Sequence, residues 1–247
     1  MKETNLIDNH APIYLQVREA IRDAIQNGDY LPGTKIPSEA ELAGDYGIHR
    51  LTVRNAISVL IKEGLLKSVQ GKGVFVVGPK MERDLDTLGG FTQTMRNKGA
   101  EPATKVLAKG LRPAGEKYAL IFNMRPDEEI VYIKRVCFAD GEPMSLEEIF
   151  IPAVLIPNFE ELDLAVFSIY EIYEFYGIHL SKANQSLELT TLPHKDAKRL
   201  GITASDSVML FTGISYNEQD QVIEYARTYT RGDRSNFTVR FSGVPIE

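Results

Sequence analysis

Residues 37–76 read PSEAELAGDYGIHRLTVRNAISVLIKEGLLKSVQGKGVFV, and the order of the signals in them decides the fold of the first third of the chain. Ser38 is a good helix N-cap, and Glu41 three residues on completes a capping box. Leu42, Ala43 and Tyr46 then fall on one face of a short helix, and Gly47 can take the left-handed conformation that ends it. A second helix is expected from about Arg50 to Glu63. Val53, Ile57, Leu60 and Ile61 recur at helical spacing and make its buried face. Arg50 and Arg54 sit one turn apart on a different face, with Thr52 beside them. Gly64 stops the helix. Leu65 to Val69 and Val74 to Val77 read as two short strands joined by Gly71-Lys72-Gly73, with the lysine at the tip.

Two arginines at the start of the second helix of a helix–turn–helix stand where a recognition helix meets base edges and phosphates. Arginine reaches guanine N7 and O6 and phosphate oxygens with one fork. Pro12-Ile13-Tyr14, Leu31-Pro32-Gly33, Pro37-Ser38-Glu39, Arg50-x-Thr52-Val53-Arg54, Glu63-Gly64-Leu65 and Gly71-Lys72-Gly73 follow in an order and spacing that resembles the winged helix-turn-helix domain of the GntR family of bacterial transcription regulators. That resemblance implies base or phosphate contacts from Arg50 and Arg54, and phosphate contacts from Ser38 and Thr52. It implies a close approach of the wing backbone at Gly71 and Gly73, and a reach of Lys72 to the DNA backbone or minor groove. Glu39 belongs to the same face. Two positions depart from the family pattern. Ala40 replaces a common arginine, and His49 replaces the usual hydroxyl residue ahead of the recognition helix, where its imidazole can approach a phosphate.

The 247 residues suffice for one large or two modest domains. No run approaches 18 apolar residues, so no membrane span is expected, and the polar N-terminus has no signal-peptide core. One cysteine, Cys137, excludes an internal disulfide and fits a reducing cytoplasm. The four histidines are scattered, so neither a metal site nor a cofactor is expected. The net charge of −6 hides a split. Residues 48–77 hold five basic side chains and one acid, so positive charge is concentrated where DNA would lie.

The chain divides into an expected DNA-binding domain at 10–77, a charged linker at 78–88 after Gly78-Pro79, and a second domain at 89–247. Before the helix–turn–helix, a helix opens at Pro12 and runs to about Asn27. After the linker, helices are expected at Phe91 to Lys98, Gly115 to Phe122, Pro152 to Phe159, Ser168 to Tyr176 and Pro193 to Leu200. Strands are expected at Ala103 to Lys109, Ile130 to Phe138, Met144 to Ile151, Leu180 to Leu192, Val208 to Tyr216, Val222 to Thr230 and Phe237 to Phe241. Asp140-Gly141-Glu142-Pro143 is a hairpin turn. Long antiparallel strands with a few helices make an α+β domain.

Arg135-x-x-x-Ala139-Asp140-Gly141-Glu142-Pro143-x-x-x-Glu147, Ile151-Pro152, Ser168-Ile169-Tyr170 and Glu224-Tyr225 through Arg231-Gly232-Asp233-Arg234 resemble the HutC-like branch of the family. Its ligand domain, UTRA, is similar in fold to chorismate lyase. The resemblance implies an effector pocket lined by Phe91, Thr92, Arg135, Glu147, Ser168 and Glu224. In its sugar-phosphate sensors, arginine and the N–H groups of helix starts hold the phosphate. Here Cys137 stands in place of the second arginine of Arg-x-Arg, and Thr230 in place of a pocket tyrosine. Arg135 has a plainer reading as a strand-surface ion pair with Glu147, and Cys137 as a small buried hydrophobe. The family thus implies a homodimeric, cytoplasmic, ligand-responsive regulator, most often a repressor, with a DNA operator and a small-molecule effector as partners. The alternative is an enzyme on the lyase-like fold, but no nucleophile–base pair, metal cluster or nucleotide loop supports it.

Overall fold

The computed structural model describes residues 11–77, 91–97 and 99–235. In chain order the elements are α1 (Ile13–Gln26), α2 (Glu39–Tyr46), α3 (Arg50–Lys62), β1 (Leu66–Val69), β2 (Gly73–Val76), α4 (Phe91–Asn97), β3 (Pro102–Pro113), α5 (Gly115–Phe122), β4 (Glu129–Ala139), β5 (Glu142–Pro152), α6 (Ile169–Phe175), β6 (Lys182–Thr190), α7 (His194–Arg199), β7 (Val208–Tyr216) and β8 (Val222–Arg231). The expected linker and the strand expected at Phe237 to Phe241 lie outside the described residues. The chain forms two compact units. Among the described residues, one comprises 11–77 with Leu155–His179, the other 91–97 and 99–154 with 180–235.

In the first unit, Val17 and Ile21 of α1 pack on Val53, Ala56, Ile57 and Leu60 of α3, with Leu42, Leu66 and Val76 closing the core. The capping box at the start of α2 is present: Ser38 Oγ accepts from the Glu41 backbone N–H, and Glu41 accepts from that of Ser38. Gly47 ends α2 with φ 65°. Glu63, just past α3, accepts from Arg22 Nη2 at 2.6 Å and so ties the end of α3 to α1. β1 and β2 pair as the wing, and residues 34–36 add backbone hydrogen bonds to β2. The short helix expected over Pro152 to Phe159 is instead two 3₁₀ turns, Ala153–Leu155 and Phe159–Glu161. Pro157 offers no N–H and Asn158 is left-handed at φ 57°, so a continuous helix is broken there. α6 then opens with a second capping box, Ser168 with Glu171.

The second unit is a six-stranded antiparallel sheet of order β3-β4-β5-β8-β7-β6. The β4–β5 hairpin turns on two residues only. Asp140 (φ 50°) and Gly141 (φ 80°) both have positive φ, the primed geometry that matches strand twist. Glu142 and Pro143 therefore belong to β5, and a register shift after Cys137 absorbs the difference. β3 extends beyond the expected Ala103 to Lys109 because a bulge between Val106 and Ala108 interrupts its alternation. One face of the sheet carries two apolar clusters. Leu192, Ala197 and Leu200 pack on Val136, Leu146 and Leu210, while Ala119 and Phe122 of α5 pack with Ile130 and Phe150. On that face Lys134 reaches Asp196 at 2.8 Å and Glu148 at 3.3 Å, pinning α7 to the sheet.

Burial pushes the Asp196 carboxyl up, but Lys134 and Arg199 outweigh it and hold it below the usual carboxylate range. Its contribution to stability is therefore present above about pH 4, the unfolded value, and is lost as pH falls through the depressed folded value. Thermal melts from pH 6 down to pH 3 are expected to show a larger fall in Tm for the wild type than for Asp196→Asn. Parallel curves would contradict this role for Asp196.

Candidate functional site

Glu39, the first residue of α2, receives both arginines of α3. Arg54 donates through Nε at 3.0 Å to Oε1 and through Nη2 at 2.8 Å to Oε2, and Arg50 through Nε at 3.0 Å. The hydrogen bond from Arg54 holds the Glu39 carboxyl low against the opposing effect of burial, and Arg50 adds to it. The two guanidinium side chains remain 63 % and 53 % exposed, so they are anchored at one end and open to solvent at the other. Thr52 lies beside them, half-buried, and donates its N–H to the His49 carbonyl. His49 is the exposed N-cap of α3 and makes no side-chain capping bond, in keeping with its departure from a hydroxyl residue. Ser38 is exposed with its hydroxyl in the capping box.

In the wing, Gly71 has φ 74° with open space around it, and Gly73 has φ 122°, where a Cβ would collide with the Lys35 side chain. Both positions require the freedom of glycine. Lys72 lies 3.5 Å from Asp163 Oδ1, both side chains partly exposed. Lys67 donates to the Val166 carbonyl at 3.3 Å and lies 5.1 Å over the Phe167 ring, which meets Phe75 of β2 edge-on. The segment holding Asp163 to Phe167 thus grips the wing within the first unit. Nothing local in the sequence signals a contact 91 residues apart.

In the second unit, strand register lays Arg135, Glu147 and Thr228 in one row and Cys137, Ser145 and Thr230 in the next, all on the sheet face opposite Lys134. Further along β8, Glu224 accepts from Ser215 Oγ at 3.2 Å. Arg135 Nε meets Glu147 Oε2 at 2.7 Å. The pair expected on a strand surface is in fact buried, at 5 % and 7 % exposure. Burial works against the Arg135 charge, yet Glu147, with Glu224 in support, holds the guanidinium firmly protonated. Burial, then Glu147, push the Cys137 thiol up, so it stays neutral. Ser145, Ser215 and Thr228 are the residues of this cluster not singled out from the sequence. The alternation that places Ser145 across from Cys137 was the available signal.

Phe91 and Thr92 open α4, which packs against β3 in the same unit, and both are half-buried. Ser168 belongs to the other unit. Its backbone N–H donates to Glu171 at 2.7 Å and its hydroxyl accepts from the Glu171 N–H, so the N–H expected for an anion is occupied. His179 and His194 are exposed. No cluster of metal-ligating side chains occurs among the described residues, and no helix there is long and apolar enough to cross a membrane.

Comparison with known proteins gives consistent results. The family described as bacterial regulatory proteins, gntR family, matches residues 13–76, and the UTRA domain matches residues 97–236. The HTH-type transcriptional repressor NagR of Bacillus subtilis (strain 168) is 37% identical over 227 residues, covering 92% of this chain and 93% of that protein. The mannosyl-D-glycerate transport/metabolism system repressor MngR of Escherichia coli (strain K12) is 26% identical, covering 93% of this chain and 96% of that protein. The crystal structure of PhnF from Mycobacterium smegmatis superimposes with a TM-score of 0.61 at 25% identity, covering 92% of this chain and 100% of that one.

The α3 geometry predicts that Arg54→Ala weakens specific DNA binding by about 1–3 kcal/mol in a titration against a selected duplex. Asp163→Asn, which releases Lys72, is expected to do the reverse: tighter binding and a steeper salt dependence, by about one counterion. Unchanged affinity in the first variant contradicts the role given to α3. An unchanged salt slope in the second means that Asp163 does not keep Lys72 from a phosphate.

Proposed function

This chain belongs to the GntR family of bacterial regulatory proteins and carries a UTRA domain, and from that premise we propose that it is a cytoplasmic repressor that binds a palindromic operator as a homodimer and leaves it when a small metabolite binds. It is a ligand-responsive transcriptional regulator and not an enzyme. The observation that carries DNA binding is the Arg50–Glu39–Arg54 arrangement, two exposed guanidinium side chains at the start of α3 steadied by one carboxylate from the start of α2. One recognition helix and one wing read only a half-site, which favours a symmetric pair of chains on a palindrome. Repression is the role of the relatives NagR and MngR, both named as repressors.

The effector, in this proposal, meets the buried face around Arg135, Glu147 and Glu224, with Thr230, Phe91 and Thr92 as the further lining residues. Two carboxylates accept hydrogen bonds from hydroxyl or amine groups. One guanidinium remains for an anion, and a phosphate must compete with Glu147 for it. A sugar phosphate or a related sugar or carboxylate fits that donor set. Release of DNA requires that the ligand bind one arrangement of the dimer more tightly than the other.

A thermal-shift panel of sugar phosphates, amino-sugar phosphates, neutral sugars and small carboxylates tests the effector half. A true ligand at about 100 times its Kd stabilises the fold by about 2.7 kcal/mol. Arg135→Lys keeps the charge but loses the fork, and Glu224→Gln keeps the shape but loses the charge. At least one of the two is expected to remove the ligand shift while the unliganded protein still melts cooperatively. A shift that survives in both variants places the effector elsewhere.

A further inference from the structure

Leu51 is an apolar side chain on the outermost face of α3, 64 % exposed. It lies in the first turn between Arg50 and Thr52. The buried face of the helix is Val53, Ala56, Ile57 and Leu60. At the helical repeat, Leu51 points roughly opposite the middle of that face. Single exposed apolar residues are ordinary on protein surfaces, so exposure alone says little. Position says more. Around the helix Arg50 and Arg54 stand on one side of Leu51 and Thr52 on the other, and both arginines pair with Glu39 of α2. Next to the DNA-directed cations, this face therefore presents an exposed isobutyl group.

A leucine has no donor or acceptor, so it cannot read the hydrogen-bonding edge of a base. The major groove offers it one apolar partner, the 5-methyl group of thymine. We propose that Leu51 is a specificity-determining residue that packs on a thymine methyl in each half-site of the operator. The inference rests on the DNA-binding reading above and adds the identity of one base.

The test begins with selection of bound sequences from a random duplex pool by the purified full-length wild-type chain. Each thymine of the selected half-site is then replaced in turn by deoxyuridine, which removes only the methyl group. One position per half-site is expected to weaken wild-type binding about fourfold, the worth of one methyl group withdrawn from an apolar contact. Leu51→Ala, an exposed substitution that keeps helix propensity high, is expected to bind thymine and uracil duplexes alike at that position while melting like the wild type. The proposal is overturned if no thymine-to-uracil change exceeds twofold for the wild type, or if Leu51→Ala keeps the wild-type sensitivity. Failure to enrich any sequence overturns the operator-binding reading itself, and the two failures are distinct.

Discussion

One carboxylate, that of Glu39, holds the two arginines of α3, and the DNA-directed chemistry of the first unit depends on where it stands. Its place is set by the turn just before it, where the Ser38–Glu41 capping box fixes the start of α2. Exposed ion pairs contribute only about 0–1 kcal/mol each, so this arrangement adds little to stability. Its effect is orientational. Arginine side chains are rich in rotamers, and binding costs about 0.5–1.5 kcal/mol for each such chain that must be ordered. Arginines already anchored through Nε lose less of that freedom on meeting DNA. The same unit steadies the rest of α3 through Glu63, the one acid in the basic stretch, which pairs with Arg22 and Arg18 of α1 instead of opposing the DNA.

The sheet of the second unit treats its two faces differently. On one, Lys134, Glu148 and Asp196 form a partly exposed network under α7. On the other, Arg135 and Glu147 are buried with Glu224, Ser145 and Thr230. A buried ion pair is a poor stabiliser, because the desolvation of both ions offsets their attraction. Two buried carboxylates around one guanidinium therefore fit a binding role better than a structural one. Cys137, held neutral, leaves that cluster without a second cation. This departs from the Arg-x-Arg pattern that the resemblance in the sequence implied for a phosphate sensor.

What was legible in the sequence follows from the range of the forces involved. The Ser38–Glu41 cap, the stop at Gly47 and the stripe Val53, Ile57, Leu60 are local, and each stands as its spacing implies. The pairing of Arg135 with Glu147 was legible too, through strand alternation across a hairpin, although its burial was not. A bulge interrupts the alternation of β3, and the two-residue turn at Asp140-Gly141 leaves Pro143 in β5 and not in the turn. Ser168-x-x-Glu171 repeats the signature of Ser38-x-x-Glu41, yet the cap it makes occupies groups expected to face an anion. The hold of Asp163 on Lys72 was invisible, since no local pattern brings a loop to a wing so far away in the chain.

The central claim is that this chain reads a symmetric DNA site and gives it up to a metabolite. Footprinting of the purified protein on a selected duplex, with and without a ligand that shifts its melting, tests both parts together. Two protected half-sites related by a twofold axis are expected, both lost when the ligand is added. Protection of a single half-site, or a symmetric footprint that no melting-shift ligand alters, would contradict it.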